Sequence, residues 1–114
     1  MFKHAHTGAV QKKVYNTVDT NVVTITLNTI TNERHVLDYI LWSTEDTPAQ
    51  GESHIIIFDV TANSAIVGWD VVTAGHGDLN FGGQSLECPL NAKITITLTC
   101  NTASDSNHLF LLYR

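Results

Sequence analysis

Charged residues are scarce in this sequence, and those present are dispersed along it. Charged side chains make up 15% of the chain, eleven acids against six bases, where about 25% is usual for a globular protein. The bases are scattered and include one adjacent pair, so the sequence has no basic stripe to displace counterions from phosphates. The composition therefore argues against a nucleic-acid partner, and its acidic balance bears mainly on solubility.

Cysteines and long apolar runs are also few. No segment reaches the length of a transmembrane helix, and residues 1–6 (MFKHAH) lack the apolar core of a signal peptide, so we expect no membrane partner. The two cysteines are Cys88 and Cys100. If residues 94–100 are extended, their length of about 20 Å argues against a disulfide between them. We therefore expect two reduced thiols and synthesis in the cytoplasm.

Motifs for catalysis or metal binding are missing as well. The sequence contains no Gly-x-Ser-x-Gly motif, phosphate loop or Cys-x-x-Cys pair. His4 and His6 have chelating spacing but no third ligand nearby, and the GHGD run at 75–78 is typical of a turn. We therefore expect a protein that is not an enzyme, with no catalytic residue, no metal site and no cofactor.

Threonine, valine and isoleucine are abundant instead. The chain has 15 Thr, 10 Val and 9 Ile, and β-branched residues favour strands. The clearest pattern runs from 94 to 100, where apolar residues alternate with three threonines (ITITLTC). A period of two places the apolar set on one face of a strand and the threonines on the other. This pattern is typical of a sheet with one buried face.

Similar runs recur along the chain and predict about eight strands. They are expected at 12–16, 22–27, 34–43, 54–60, 65–72, 78–81, 93–100 and 108–114. This spacing is typical of a sandwich or barrel. The predicted fold is all-β, a single jelly-roll β-sandwich of antiparallel strands over residues 12–114. Residues 1–11 show no periodicity and are expected to form a flexible or partner-ordered N-terminal arm.

Three of the predicted strands, at 34–43, 54–60 and 108–114, are apolar on both faces. A two-layer sandwich covers only one face of each sheet, so the second apolar set remains for contact with another protein. Coverage by end loops or by the N-terminal arm is the alternative. The residues that we predict to support self-association are Leu37, Tyr39, Leu41, Phe58, Phe110 and Leu112.

Several segments resemble a known class of proteins in their spacing. They are the VLDYIL strand at 36–41, the Gly82-Gly83 break, the LECPL crossing at 86–90 before the alternating strand at 94–98, and the short apolar strand at 109–113. From about Asn21 onward this layout resembles small jelly-roll proteins of tailed-phage particles. That class includes capsid cement or decoration proteins and short tail-fibre modules.

The resemblance implies a structural virion protein that is made in the host cytoplasm. Such proteins usually form homotrimers, bind the major capsid protein and stabilise the shell. The contacts would come from the arm and from the large polar loop, where the expected partner-binding residues are Phe2, Lys3, His4, His6, Val10, Glu45, Asp46, Gln50 and Glu52. The alternative is a tail or fibre module that binds a receptor or carbohydrate, with Trp42, Trp69 and the tyrosines as a flat platform for sugar rings.

Overall fold

The computed structural model describes residues 11–18, 22–44, 54–70, 75–99 and 107–114. These residues form nine strands: β1 Lys12–Val18, β2 Val22–Leu27, β3 Val36–Thr44, β4 His54–Asp59, β5 Ser64–Asp70, β6 Gly75–Leu79, β7 Leu86–Glu87, β8 Ile94–Thr99 and β9 Asn107–Tyr113. A short 3-10 turn spans Phe81–Gly83. Among the described residues no helix is long and apolar enough to cross a membrane. The predicted partner-binding residues lie outside them: Phe2, Lys3, His4, His6, Val10, Glu45, Asp46, Gln50 and Glu52.

The strands form two antiparallel sheets that are wound as a jelly roll. The five-stranded sheet has the order β1-β9-β3-β6, with β7 also paired to β3, and the four-stranded sheet has the order β2-β8-β4-β5. Apart from the short β7, the chain passes from one sheet to the other at every connection except the β4–β5 hairpin, as in an eight-stranded jelly roll. The prediction of an all-β jelly-roll sandwich is confirmed.

The core lies between the inner faces of the two sheets. In β8 the isoleucines and Leu98 are fully buried, whereas the threonines that alternate with them are half-buried on the other face. Leu109 and Leu111 of β9 supply the opposing layer and are also fully buried. The alternation in the sequence therefore gives the correct direction of these side chains.

A β-bulge in β3 corrects one of the sequence predictions. The pairing of β3 with β9 shifts between Leu37 and Tyr39, and an extra residue at such a point ends strict alternation. Leu37 is fully buried and belongs to the core cluster. The prediction that Leu37 lies on an uncovered face and supports self-association is therefore wrong.

The GHGD run at 75–78 is part of a strand, so the prediction of a turn is also wrong. Strand β6 pairs with β3, and Gly77 lies opposite Trp42. The Trp42 indole fills the space above Gly77, because a Cβ at this position would lie 2.5 Å from Cζ2 of the ring. Glycine is required here by the close approach of a buried tryptophan from the neighbouring strand.

Cys88 is a buried free thiol. Its burial, with a smaller contribution from the Asp59 carboxylate, raises its pKa to about 12. The thiol therefore stays protonated at neutral pH, and Cys88 acts as a small apolar residue in the core. Cys100 lies outside the described residues.

The two ends of the sandwich differ in the connections that they carry. We call the end where β1 begins, at Lys12, the proximal end, and the end where β1 finishes, at Val18, the distal end. The connections 28–35, 60–63 and 80–93 join strands at the proximal end. Cross-strand pairs bring the strand ends of the distal end together: Val18↔Asn107 and Thr44↔Gly75 in one sheet, and Val22↔Thr99 and His54↔Asp70 in the other.

Candidate assembly surfaces

The outer face of the five-stranded sheet carries apolar and aromatic side chains at adjacent cross-strand positions. Phe110 pairs with Leu41 on one side and with Tyr15 on the other, and Leu112 pairs with Tyr39. The residues between them in β3 and β9 are fully buried, so alternation directs this set away from the core. We call these five residues the outer apolar patch: Tyr15, Tyr39, Leu41, Phe110 and Leu112.

The patch contains four of the residues predicted for self-association, and it also contains Tyr15, which the sequence suggested as part of a sugar platform but not for self-association. In the isolated chain Tyr15 is 56% exposed, and the other four are half-buried. Apolar and polar residues do not alternate along β1 (KKVYNTV). The sequence around Tyr15 therefore does not indicate on which face of the sheet its side chain lies. Its place in the patch follows from its pairing with Phe110, which is 95 positions away in the sequence.

Hydrogen bonds fix two aromatic rings of the patch. The Tyr39 hydroxyl donates to Oδ2 of Asp78 at 3.0 Å. The Tyr15 hydroxyl lies 2.5 Å from Nδ1 of His108, and the two rings stack with their centroids 5.9 Å apart. Desolvation and the Asp78 carboxylate raise the pKa of Tyr39, so its phenol remains neutral at physiological pH. Rings held in this way lose little conformational entropy when a partner covers them.

An ion-pair cluster around Asp38 borders the patch at the proximal end. Arg114 donates from Nε and Nη2 to both oxygens of Asp38, at 2.9 and 2.7 Å. Gln11 and Ser85 donate to the same carboxylate at 2.9 and 2.5 Å. Although burial alone raises the pKa of Asp38, these donors and the positive charge of Arg114 lower it to about 2. Asp38 is therefore ionised at neutral pH and compensates the charge of Arg114.

The outer face of the four-stranded sheet has a different chemistry. Threonines of β2 and β8 lie opposite each other in register, and the hydroxyls of Thr24 and Thr97 are 3.3 Å apart. Ile56 and Phe58 of β4 continue the same rows and are half-buried. We call the five threonines the threonine face: Thr24, Thr26, Thr95, Thr97 and Thr99. Phe58, the last predicted self-association residue, thus lies across the sandwich from the outer apolar patch.

A pocket of about 300 Å³ opens at the proximal end. Three basic residues contribute to its lining, Lys12, Arg34 and Arg114, together with Glu33 and Tyr113. The Lys12 ammonium lies 6.0 Å from the centroid of the Tyr113 ring. Half of the Lys and Arg residues of the chain therefore meet at one pocket. Lys12, Arg34 and Arg114 are far apart in the sequence. They come close together because β1, β9 and β3 are neighbours in one sheet.

Within the described residues, no group of three or more His, Cys, Asp or Glu side chains is able to hold a metal ion. His4 and His6 lie outside those residues. His35 is buried beside the pocket, with its Nε2 atom 2.7 Å from the carbonyl oxygen of Asn28. This contact joins the two ends of the 28–35 connection, which begins at Asn28 and ends at His35.

Comparisons with known proteins identify a shared fold and no family. No protein-family model matches the chain, and the curated proteins include no match. Among solved structures, the chain is similar to a subunit of Bacillus endospore appendages, described as a novel family of disulfide-linked pili. The TM-score is 0.55 at 10% identity, over 91% of this chain and 85% of that one.

Two further solved structures are less similar. FLHE gives a TM-score of 0.43 at 12% identity, over 93% of this chain and 99% of that one. The extra small virus of the prawn Macrobrachium rosenbergii, solved as a virus-like particle, gives 0.32 at 10% identity, over 91% and 77% of the two chains. Of these three structures, the appendage subunit has the TM-score that supports a common fold, and its low identity supports nothing further.

Proposed function

We propose that the protein is a non-enzymatic structural subunit that associates with copies of itself through the outer apolar patch. The observation that carries this proposal is the register of the patch, which places five apolar or aromatic side chains side by side on an outer sheet face. Contiguous apolar surface of this kind marks interaction sites in soluble proteins. Covering roughly 200–300 Å² of it contributes several kcal/mol, at ~25 cal/mol per Å².

The distribution of aromatic and polar residues in and around the patch also resembles that of a protein–protein interface. Aromatic residues occupy its centre and one edge, and polar groups such as Asp78 and His108 lie at its border. Interfaces commonly combine an apolar, aromatic core with a polar rim. The appendage subunit that has a similar fold is described as a component of pili, which is compatible with the use of this fold in assemblies.

The finer form of the proposal is a capsid cement or decoration protein of a virion. In this role residues 12–114 form the jelly-roll domain, copies associate as a homotrimer, and residues 1–11 with the 45–52 segment contact the major capsid protein. The supporting observation is the spacing of strands and breaks from Asn21 onward, which resembles that of tailed-phage jelly-roll proteins. The outer apolar patch contains no charged side chain, which suits a protein with one sheet face that lies against a neighbour.

A tail or fibre module for receptor or carbohydrate binding is the second candidate. The exposed Tyr15 ring, held against His108, favours it because a fixed aromatic surface stacks on sugar rings. Trp42 does not contribute to such a platform, since it is buried in the core. For Trp69 the structure describes the backbone in β5 and not the side chain.

Sedimentation velocity over a concentration series tests the proposal. We expect the wild type to associate, the double variant Leu41→Asn/Phe110→Asn to stay monomeric, and the matched Thr95→Asn/Thr97→Asn control on the threonine face to associate as the wild type does. Circular dichroism checks that each variant is folded. A folded wild type that is monomeric at every concentration would contradict the proposal, and sugar-dependent quenching of its tyrosine fluorescence would then support the binding module.

A further inference from the structure

The cross-strand register arranges the outer apolar patch in two rows and places a charge at each lateral edge. Residues directly opposite each other in neighbouring strands face the same side of a sheet. The rows are Lys13, Leu112 and Tyr39, and, next to them, Tyr15, Phe110, Leu41 and Asp78. Lys13 therefore lies at the β1 edge of the patch, and Asp78 lies at its β6 edge.

These two edge charges are exposed and have no partner of opposite charge in the described part of the chain. Asp78 accepts a hydrogen bond from the Tyr39 hydroxyl through Oδ2, and this neutral donor leaves its charge uncompensated. The other charges at the border, Asp38 and Arg114, already form an ion pair with each other. The border thus offers one available charge of each sign, at opposite edges.

The positions of Lys13 and Asp78 distinguish between two ways of stacking a second copy on the patch. Two copies that use the same surface are related by a two-fold axis. An axis along the strands places β1 of one copy over β6 of the other, so Lys13 faces Asp78 of the second copy in two equivalent contacts. An axis across the strands places β1 over β1 and brings like charges together, which is strongly unfavourable.

The dimensions of a β-sheet allow the contact between opposite charges. Lys13 and Asp78 differ by one row, so they are offset by about 7 Å along the strands. Sheets that pack face to face lie about 10 Å apart, with strand directions within about 30° of each other. The flexible four-carbon stem of lysine adapts to an offset of this size.

We propose that two copies of this chain meet face to face through the outer apolar patch, with Lys13 of each copy paired with Asp78 of the other. The inference rests on the proposed function, because the apolar side chains supply the affinity and the two charges select the orientation of the second copy. The border charges sum to zero, which suits another copy better than a strongly charged partner. Such a contact closes as a dimer, so a homotrimer would need a further surface.

Sedimentation velocity at about 0.15 M ionic strength tests the pairing with charge reversals. Lys13→Glu and Asp78→Lys, each checked for folding by circular dichroism, should each associate roughly a hundredfold more weakly than the wild type. Each variant dimer contains two like-charge contacts, and a tenfold loss for each contact corresponds to about 1.4 kcal/mol.

An equimolar mixture of Lys13→Glu and Asp78→Lys should associate nearly as strongly as the wild type. In the mixed dimer one contact is the native pair, and the other joins the two introduced charges, which are again opposite in sign. Recovery of this kind requires that Lys13 faces Asp78 across the interface, because neither variant alone contains an attractive contact.

Lys12→Glu is the matched control for Lys13→Glu. Both lysines are exposed residues of β1, and both substitutions change the net charge equally. Lys12 lies opposite Tyr113, which packs against the core, so its side chain is on the other side of the sheet from the patch. Lys12→Glu should therefore weaken association much less. Asp78→Lys makes the net charge of −5 less negative, so a response to net charge would strengthen association rather than weaken it.

Several results would overturn the inference while association is still lost in Leu41→Asn/Phe110→Asn, which leaves the proposed function in place. They are association of Lys13→Glu or Asp78→Lys alone at wild-type strength, no recovery in their mixture, or equal effects of Lys12→Glu and Lys13→Glu. Preferential association of Lys13→Glu with the wild type would indicate the axis across the strands and would also overturn it. If Leu41→Asn/Phe110→Asn associates as the wild type does, the proposed function itself fails, and the inference fails with it.

Discussion

The outer face of the five-stranded sheet and the outer face of the four-stranded sheet are both uncharged at their centres, but they meet solvent in different ways. On the threonine face, hydroxyls such as those of Thr24 and Thr97 bond to each other or to water, so exposure costs little. On the outer apolar patch, rings and branched carbons such as Phe110 and Leu41 offer water no hydrogen bond. The contrast indicates that one face is suited to solvent and the other to a partner.

The largest expected effects come from the inner faces, where the two sheets should behave alike. Ile96→Ala in the four-stranded sheet and Leu111→Ala in the five-stranded sheet each remove a fully buried side chain. Each should lower the free energy of unfolding by about 2–5 kcal/mol in urea denaturation of the dilute protein. Thr97→Ala, one residue from Ile96 but on the outer face, should change it by less than about 1 kcal/mol.

Similar losses of unfolding free energy for Ile96→Ala and Leu111→Ala would show that the inner faces of the two sheets are equivalent. The difference between the sheets would then lie at their outer faces. If either core truncation changed stability no more than Thr97→Ala does, the assignment of inner and outer faces would be contradicted.

Two glycines in edge strands, one in each sheet, give the next largest contrast. Gly77→Ala in β6 brings a Cβ to 2.5 Å from the Trp42 ring, and such overpacking costs about 1–3 kcal/mol. At Gly68 in β5 no atom lies within 4 Å of the added Cβ, so Gly68→Ala should be neutral or stabilising by up to about 1 kcal/mol. Thermal denaturation of both variants measures the difference, and equal melting temperatures would contradict this account of Gly77.

A smaller contrast concerns the acid sensitivity of the five-stranded sheet. The folded pKa of Asp38 is about 2, below the ordinary value of 3.8, so ionised Asp38 stabilises the fold above about pH 4. This contribution is lost as the pH falls from about 4 to about 2, and it amounts to at most about 2 kcal/mol. Asp38→Asn should remove that part of the pH dependence, as measured by denaturant titrations at several pH values. Identical slopes for wild type and variant in this range would show that the cluster contributes nothing.

The fold was predictable from local patterns, because alternation with a period of two reflects which side of a strand faces the core. The run at 94–99 and the two-sided strands around Leu41 and Phe110 identified the strands and most of the outer apolar patch. Leu37 was misassigned because a β-bulge adds a residue to one strand. The alternating pattern of the sequence does not show where such a residue is inserted.

The remaining features depend on pairs that are distant in the sequence. The requirement for glycine at position 77 arises from Trp42 on the adjacent strand, and Tyr15 joins the patch through Phe110. The proximal pocket likewise combines Lys12 of β1, Tyr113 of β9 and Arg114 with residues of the 28–35 connection. These contacts follow from strand register, which the composition of each strand alone does not determine.

Hydroxyl-radical footprinting at increasing protein concentration tests the central claim most directly. Phe110 of the outer apolar patch and Phe58 beside the threonine face are the same residue type, and both are half-buried in the isolated chain. If the patch mediates assembly, labelling of Phe110 and Tyr15 falls as the protein associates, while labelling of Phe58 stays constant. Unchanged labelling of Phe110 in associated protein, or a fall confined to Phe58, would contradict the account.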